Sequence, residues 1–403
     1  MLPFRHWLRR ADLRNDPRTV ALVLPDGMSL AYADLAATAG APGLNVLTGG
    51  AGGMALGLAA CALGGGTAFP LPPNLTDGHR ERLVELAGAA AAPALALIVA
   101  TSGSTGAPKG VRLPWRAVAA GARMSARALG LTPGDAWLAC LPLHAVGGAM
   151  ILYRCWRAGA TAVVHDGFDA KAVAHDLARR RITHVSLVPP MLARLLDLGV
   201  PPPLTLRCAL VGGAALHDTL LARARAAGWP LRLSYGMTET GALAAVDGEP
   251  LPGARFRIAA NGTLEIATPA RMAGYLGERD IGAWLPTRDL GRVDAAGRVT
   301  VTGRADDMLV SGGVNIQPAD IEARLAACPG VREAAITGID DPVWGQIVTA
   351  LYEGEASEAS VAAWCRAHLP RTHRPRRLHR VARLPRTASG KLDRRALPAL
   401  VAP

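Results

Sequence analysis

Between residues 94 and 236, short apolar runs alternate with amphipathic stretches, a pattern that predicts β-strands joined by helices. Ala94–Ala100, Trp137–Leu143, Thr161–His165, His184–Val188, Arg207–Val211 and Leu231–Tyr235 read as strands. In Ala170–Arg181, Val173 and Leu177 recur four residues apart with charges on the other side, the stripe of a surface helix. This alternation predicts an α/β domain with mostly parallel sheets. From about residue 253 the period changes. Arg255–Ala259, Thr263–Ala267 and Arg298–Thr302 alternate apolar and polar residues around Asn261-Gly262 and Ala296-Gly297, as a small antiparallel β unit would. A helix at Pro318–Ala327, strands at Glu333–Ile339 and Val348–Tyr352, a helix at Glu358–His368 and an arginine-rich tail then predict a small α+β module. The expected division is a large domain, 1–305, and a small C-terminal domain, 306–403.

The length of 403 residues suits two such domains, and half the residues are hydrophobic. The longest uncharged run, Leu35–Thr76, is broken by Gly and Pro. Its most apolar part, Ala51–Phe69, predicts a buried helix with flanking turns rather than a membrane span. Met1–Arg14 carries four arginines and no apolar stretch after it, unlike a secretory leader. The six cysteines lie far apart without a CxxC pair, which argues for buried thiols in a reducing cytoplasm over a zinc site or disulfide framework. The net charge of +12 raises nucleic acid as a partner. Interleaved aromatics and a recognition motif are missing from the sequence, which argues against it. Of the 44 basic residues only Lys109, Lys171 and Lys391 are lysine. Two of these three stand inside motifs.

Thr101-Ser102-Gly103-Ser104-Thr105-Gly106-Ala107-Pro108-Lys109-Gly110 follows an apolar strand directly. Small residues let backbone amides fold around phosphate, hydroxyls add donors and Lys109 adds charge. A Walker A loop would need Gly before the lysine and Ser or Thr after it, where this chain has Pro108 and Gly110.

This decapeptide resembles the phosphate-binding signature of the adenylate-forming superfamily, which includes acyl-CoA synthetases and peptide-synthetase adenylation domains. Similar segments follow in the family's order: Ser234–Thr240, Arg288–Gly291, Gly303–Met308 with Ser311–Gly313, and Pro385–Lys391. The resemblance implies ATP, Mg²⁺ and coenzyme A as reaction partners of a small carboxylic acid. It gives Thr238 a contact to the α-phosphate and Glu239 the metal, for which a hard carboxylate oxygen is suited. Asp289 would accept the ribose hydroxyls, with Arg304 beside ribose or phosphate. Tyr235, Gly236 and the backbone of Gly212, Gly213 and Ala214 would line the nucleotide, the glycines letting a flat base lie close. Lys391 would offset charge as carboxylate meets phosphate. Asp306 stands at the family's hinge position. There the small domain rotates between adenylation and thioester formation, exchanging Lys391 for the Ser311, Gly312 and Gly313 loop.

The middle of the chain, Leu141–His144 through Phe168-Asp169 to Thr183–Leu196, is most similar to the o-succinylbenzoate–CoA ligase branch, of menaquinone biosynthesis. His144 and Arg194 are the candidate acyl-pocket residues, Arg194 as a partner for a second carboxylate. Two departures stand out. Ala145 occupies the place where the branch has its gating histidine, and the phosphate loop comes some fifty residues early, so the N-terminal part is shortened. A stand-alone adenylation enzyme that loads a carrier protein is the alternative reading, and the sequence leaves oligomeric state open.

Overall fold

The computed structural model describes residues 18–92, 94–101, 108–387 and 390–401. Among these, the largest sheet has nine strands. In spatial order they are Glu249–Pro250, Ala245–Val246, Leu231–Tyr235, Cys208–Val211, His184–Leu187, Ala136–Ala139, Thr161–Val164, Val20–Val23 and Ser29–Ala31. The six strands from Leu231–Tyr235 to Val20–Val23 are parallel, and the outer pairings are antiparallel. The expected strand Trp137–Leu143 stops at Ala139, because Leu141-Pro142 opens a turn into the helix Val146–Ala158.

The apolar run at 94–100 forms Leu95–Thr101 in a second sheet, between Lys109–Pro114 and Thr67–Pro70, with Leu44–Leu47 and Gly274–Tyr275 outside. One expectation changes here. Ala51–Phe69 is a helix, Ala51–Gly64, followed by a wholly buried strand rather than a turn. These four residues, Thr67 to Pro70, are buried without alternation and carry no period to distinguish strand from turn. The shortened N-terminal part still supplies two strands of this sheet.

Helices lie between the two sheets. One buried cluster joins Leu97 and Val111 of the second sheet, Met124 and Trp156 of two helices, and Trp137 of the first. The helix Val146–Ala158 is buried on nearly every face, as a helix between layers must be. A core leucine there stabilises the domain by about 1.5–3 kcal/mol.

The antiparallel unit has four strands: Arg255–Ile258, Thr263–Ala267, Leu285–Val293 and Val299–Arg304. The third was not expected, because two of its three inward positions before the bulge are Thr287 and Asp289. Beyond it, Val314–Ile316, Leu309–Ser311, Gly345–Gly354 and Val331–Asp341 form an antiparallel sheet. The arginine-rich tail is more ordered than expected, since Arg377–Arg380 adds a parallel strand to Gly345–Gly354. The helices Pro318–Ala326 and Glu358–His368 bury Ile321, Leu325 and Val361 against this sheet. Leu384, Leu397 and Val401 pack with Ala335 and Leu351 in a separate cluster. All six cysteines are free and buried. Among the described residues, no helix is long and apolar enough to cross a membrane.

Candidate functional site

Ser102, Gly103, Ser104, Thr105 and Gly106 lie outside the described residues. The ends of their segment are described. Thr101 and Lys109 face each other as the last pair of an antiparallel ladder. Lys109 Nζ is 3.0 Å from Glu278 Oε1 and 4.6 Å from the centre of the Tyr275 ring. The Tyr275 hydroxyl in turn donates to Glu239 Oε1 at 2.8 Å. Thr238 and Glu239 sit in a short 3₁₀ turn, Thr238–Thr240, closed by a hydrogen bond from the Met237 amide to Thr240 Oγ1 at 3.0 Å. Gly236 precedes this turn where a β-carbon would lie 2.5 Å from the Ala242 carbonyl oxygen, so only glycine fits.

A second chain of polar groups joins the segments Ser234–Thr240 and Arg288–Gly291 to Gly303–Met308. The Tyr235 hydroxyl donates to Asp289 Oδ2 at 2.7 Å, and Arg304 Nη1 donates to Asp289 Oδ1 at 3.0 Å. Burial, then the Asp289 charge, push the Tyr235 phenol far above its ordinary pKa, so it stays a donor. Arg304 also grips Asp306 with Nε and Nη2, each at 2.9 Å. Burial alone would raise the Asp306 pKa, but Arg304 outweighs it and holds the carboxyl below its ordinary value.

Lys391 follows Gly390, and its carbonyl accepts from the Thr387 amide at 2.8 Å. Its side chain runs across Gly213. A β-carbon there would lie 3.0 Å from Lys391 Cε. At Gly212 a β-carbon would lie 1.8 Å from Ser234 Oγ. Of the two, Gly213 is the position whose openness serves Lys391, and Ala214 follows it on the surface. Although Lys391 retains exposed surface, desolvation and then Arg304 lower its pKa, while Glu239 and Asp289 oppose them.

These groups suit nucleotide and metal. Each Asp289 oxygen has a second lone pair for a ribose hydroxyl. Among the described residues no cluster of three metal-ligating side chains exists. Glu239 would be a single protein ligand, which matches Mg²⁺ held mainly by phosphates and water.

Residues 76–269 match the model of the AMP-binding enzyme family, and 320–391 match that of the AMP-binding enzyme C-terminal domain. The 2-succinylbenzoate–CoA ligase of Bacillus pumilus is 36% identical over 331 residues, covering 75% of this chain and 68% of that one. The chain belongs to the AMP-binding enzyme family. The ligase of the same name from Bacillus subtilis is 33% identical, covering 75% and 68%. The o-succinylbenzoate CoA synthetase of B. subtilis, solved with its acyl-adenylate intermediate, superposes with a TM-score of 0.86 at 28% identity, covering 97% of both chains. The same enzyme solved with ATP and magnesium ion gives 0.85 at 28% identity, covering 97% and 98%.

Beside the lysine loop lies a cavity of about 530 Å³. Val188, Met191 and Arg194 line one side, and Arg383, Pro385 and Gly390 the other. The helix Pro189–Asp197 buries Leu192, Leu195 and Leu196 and leaves Arg194 exposed at the cavity. His144 is half-buried and does not line it. Burial lowers the His144 pKa, so its imidazole is neutral at pH 7. Ser311, Gly312 and Gly313 form a hairpin turn with φ of +57° and +77° at the glycines. That turn packs at Trp344, whose ring would lie 2.8 Å from a β-carbon on Gly312.

Sequence reasoning singled out neither Tyr275 nor Glu278. Their partners lie 36 and 169 residues away, and no local motif announces such contacts.

Proposed function

We propose that this chain is an ATP-dependent carboxylate–CoA ligase acting on an acid with a second carboxylate, such as the 2-succinylbenzoate named for its relatives. The observation that carries this reading is Lys391 lying across Gly213, beside the Arg194 cavity and within the field of Glu239 and Asp289.

In the first half-reaction the substrate carboxylate attacks the α-phosphorus of ATP. The acyl-adenylate forms and pyrophosphate leaves. Lys391 offsets the charge of two anions as they meet, and Thr238 donates to the α-phosphate. Asp289, set by Tyr235 and Arg304, holds the ribose. Mg²⁺, when bound at Glu239, neutralises phosphate charge. In the second half-reaction a CoA thiolate attacks the acyl carbonyl and AMP leaves. We assign that step to a rotation of residues 306–403 about Asp306, which withdraws Lys391 and brings in Ser311–Gly313.

A panel of mono- and dicarboxylic acids tests the reading, scored by pyrophosphate release and then by thioester formation with free CoA. An aromatic diacid should give both. ADP as the nucleotide product, or acyl transfer only to a carrier protein, would overturn it.

A further inference from the structure

The cavity beside Lys391 is built by both parts of the chain, and each part contributes an arginine to it. Arg194 comes from the helix Pro189–Asp197. Arg383 comes from the segment between the strand Arg377–Arg380 and the lysine loop. Among the described residues, neither has an acidic or hydrogen-bonding partner. The third arginine at this cavity, Arg386, differs, because it is held by Glu333 and by the Gly390 carbonyl oxygen at 3.3 Å.

Arg383 is also well anchored. The next residue, Leu384, is 1% exposed and packs with Leu351, Leu397 and Val401. Its amide donates to Glu353 Oε1 at 2.7 Å. Around Lys391 the described residues are tied to this anchor, since Arg386 and Leu392 pair and the Asp393 amide bonds the Pro385 carbonyl at 2.9 Å. Gly390 meets the opposite wall, where its β-carbon would lie 3.5 Å from Val188 and 3.9 Å from Met191.

Two cations that converge on one cavity without counter-charges favour an anion there. We propose that Arg383 is a specificity residue for the acid's second carboxylate, which it shares with Arg194 across the cavity. This rests on the diacid reading above and extends it. The substrate's far end then forms part of the surface on which the lysine loop seats. A diacid bridges the two walls and draws Lys391 to the reacting carboxylate, whereas a monoacid leaves the two arginines to repel one another.

The test uses the full-length enzyme and pyrophosphate release, with 2-succinylbenzoate compared against its ester at the distal carboxylate, which keeps shape and loses charge. Arg383→Ala should raise KM for the diacid roughly 10-fold, the scale of one charged hydrogen bond at an open rim. KM for the ester and KM for ATP should stay within twofold, and Arg383→Lys should recover part of the loss. Equal loss on diacid and ester, or a raised KM for ATP with every acid, would make Arg383 a structural or nucleotide contact and overturn the inference. If Arg194→Ala is selective for the diacid while Arg383→Ala is silent, this inference fails and the functional reading stands. If the unaltered enzyme adenylates no diacid, the functional reading fails and takes the inference with it.

Discussion

The Tyr275 hydroxyl donates to Glu239 Oε1 at 2.8 Å, and Lys109 lies over the same ring at 4.6 Å. One side chain thus connects the end of the phosphate segment to the carboxylate assigned to the metal. A single carboxylate ligand in a short turn needs its oxygen held, because the metal has little other protein to define its place. Tyr275→Phe removes that hydroxyl and keeps the ring under Lys109. The Mg²⁺ concentration for half-maximal pyrophosphate release should rise roughly 10-fold. An unchanged Mg²⁺ requirement with a lower melting temperature would reduce Tyr275 to a packing residue.

Gly213 has φ of +81°, and a β-carbon on it would lie 3.0 Å from Lys391 Cε. Alanine there meets two penalties: about 1–2 kcal/mol of backbone strain, and contact with a flexible lysine stem that yields by moving. The fold should survive and the lysine should be displaced. Adenylate formation by Gly213→Ala is expected to fall on the order of 100-fold, as misplacement by an ångström can cause. Thioester formation from synthetic acyl-adenylate should change only a few-fold. Parallel loss in both half-reactions would point to damage of the shared nucleotide site instead.

Arg304 joins Asp289 to Asp306, one bond to the first and two to the second. Asp289, proposed for the ribose, and Asp306, proposed for the hinge, therefore share one cation. Asp306→Ala releases two of its three bonds. The pair is partly exposed, so the adenylation rate should drop only a few-fold, near the range of surface ion pairs. The thioester half-reaction should hold or quicken, since the arrangement that Arg304 fixes is the one with Lys391 inward. Asp306 is held below its ordinary pKa, so this contribution is complete at neutral pH and fades only as pH falls through the carboxylate range. Equal slowing of both steps would remove Asp306 from the domain motion.

What the sequence made legible follows from where the information lies. Lys391, Asp289, Arg304 and Glu239 stand in short segments whose residue types match their chemistry, and the structure gathers them around one place. The strand Leu285–Val293 was hidden because its inward residues include Thr287 and Asp289, which break the hydrophobic period. Tyr275 was hidden because its partners, Glu239 and Lys109, are set by the pairing of Gly274–Tyr275 with Lys109–Pro114. At Gly212 a β-carbon would also lie 1.8 Å from Ser234 Oγ, a contact between two segments that neither announces alone. Arg194 lies off the side of its helix that buries Leu192, Leu195 and Leu196. That it faces a second arginine from a segment 189 residues later could not be read from its own helix, because the distance from 194 to 383 is bridged only by the fold.

Lys391 carries the last expectation. Desolvation is the largest influence on its ammonium, Arg304 the next, and both lower the pKa below the ordinary 10.5. The sign follows directly: below the shifted value Lys391 is charged and competent, and as pH rises through it the charge is lost. Adenylation kcat/KM should therefore decline at lower pH than an ordinary lysine would allow. Bound nucleotide adds negative phosphate beside the ammonium and favours its charged form. The decline in kcat, which reports the enzyme with substrates bound, should therefore lie at higher pH than that in kcat/KM. Thioester formation from synthetic acyl-adenylate should show neither feature. Lys391→Arg keeps a charge at every accessible pH, so its residual adenylation should lose the alkaline decline altogether. Lys391→Ala should lose about 100-fold or more in the first step and little in the second. An alkaline decline that persists in Lys391→Arg would assign the titration to another group, and equal loss in both steps would deny Lys391 its separate role in adenylation.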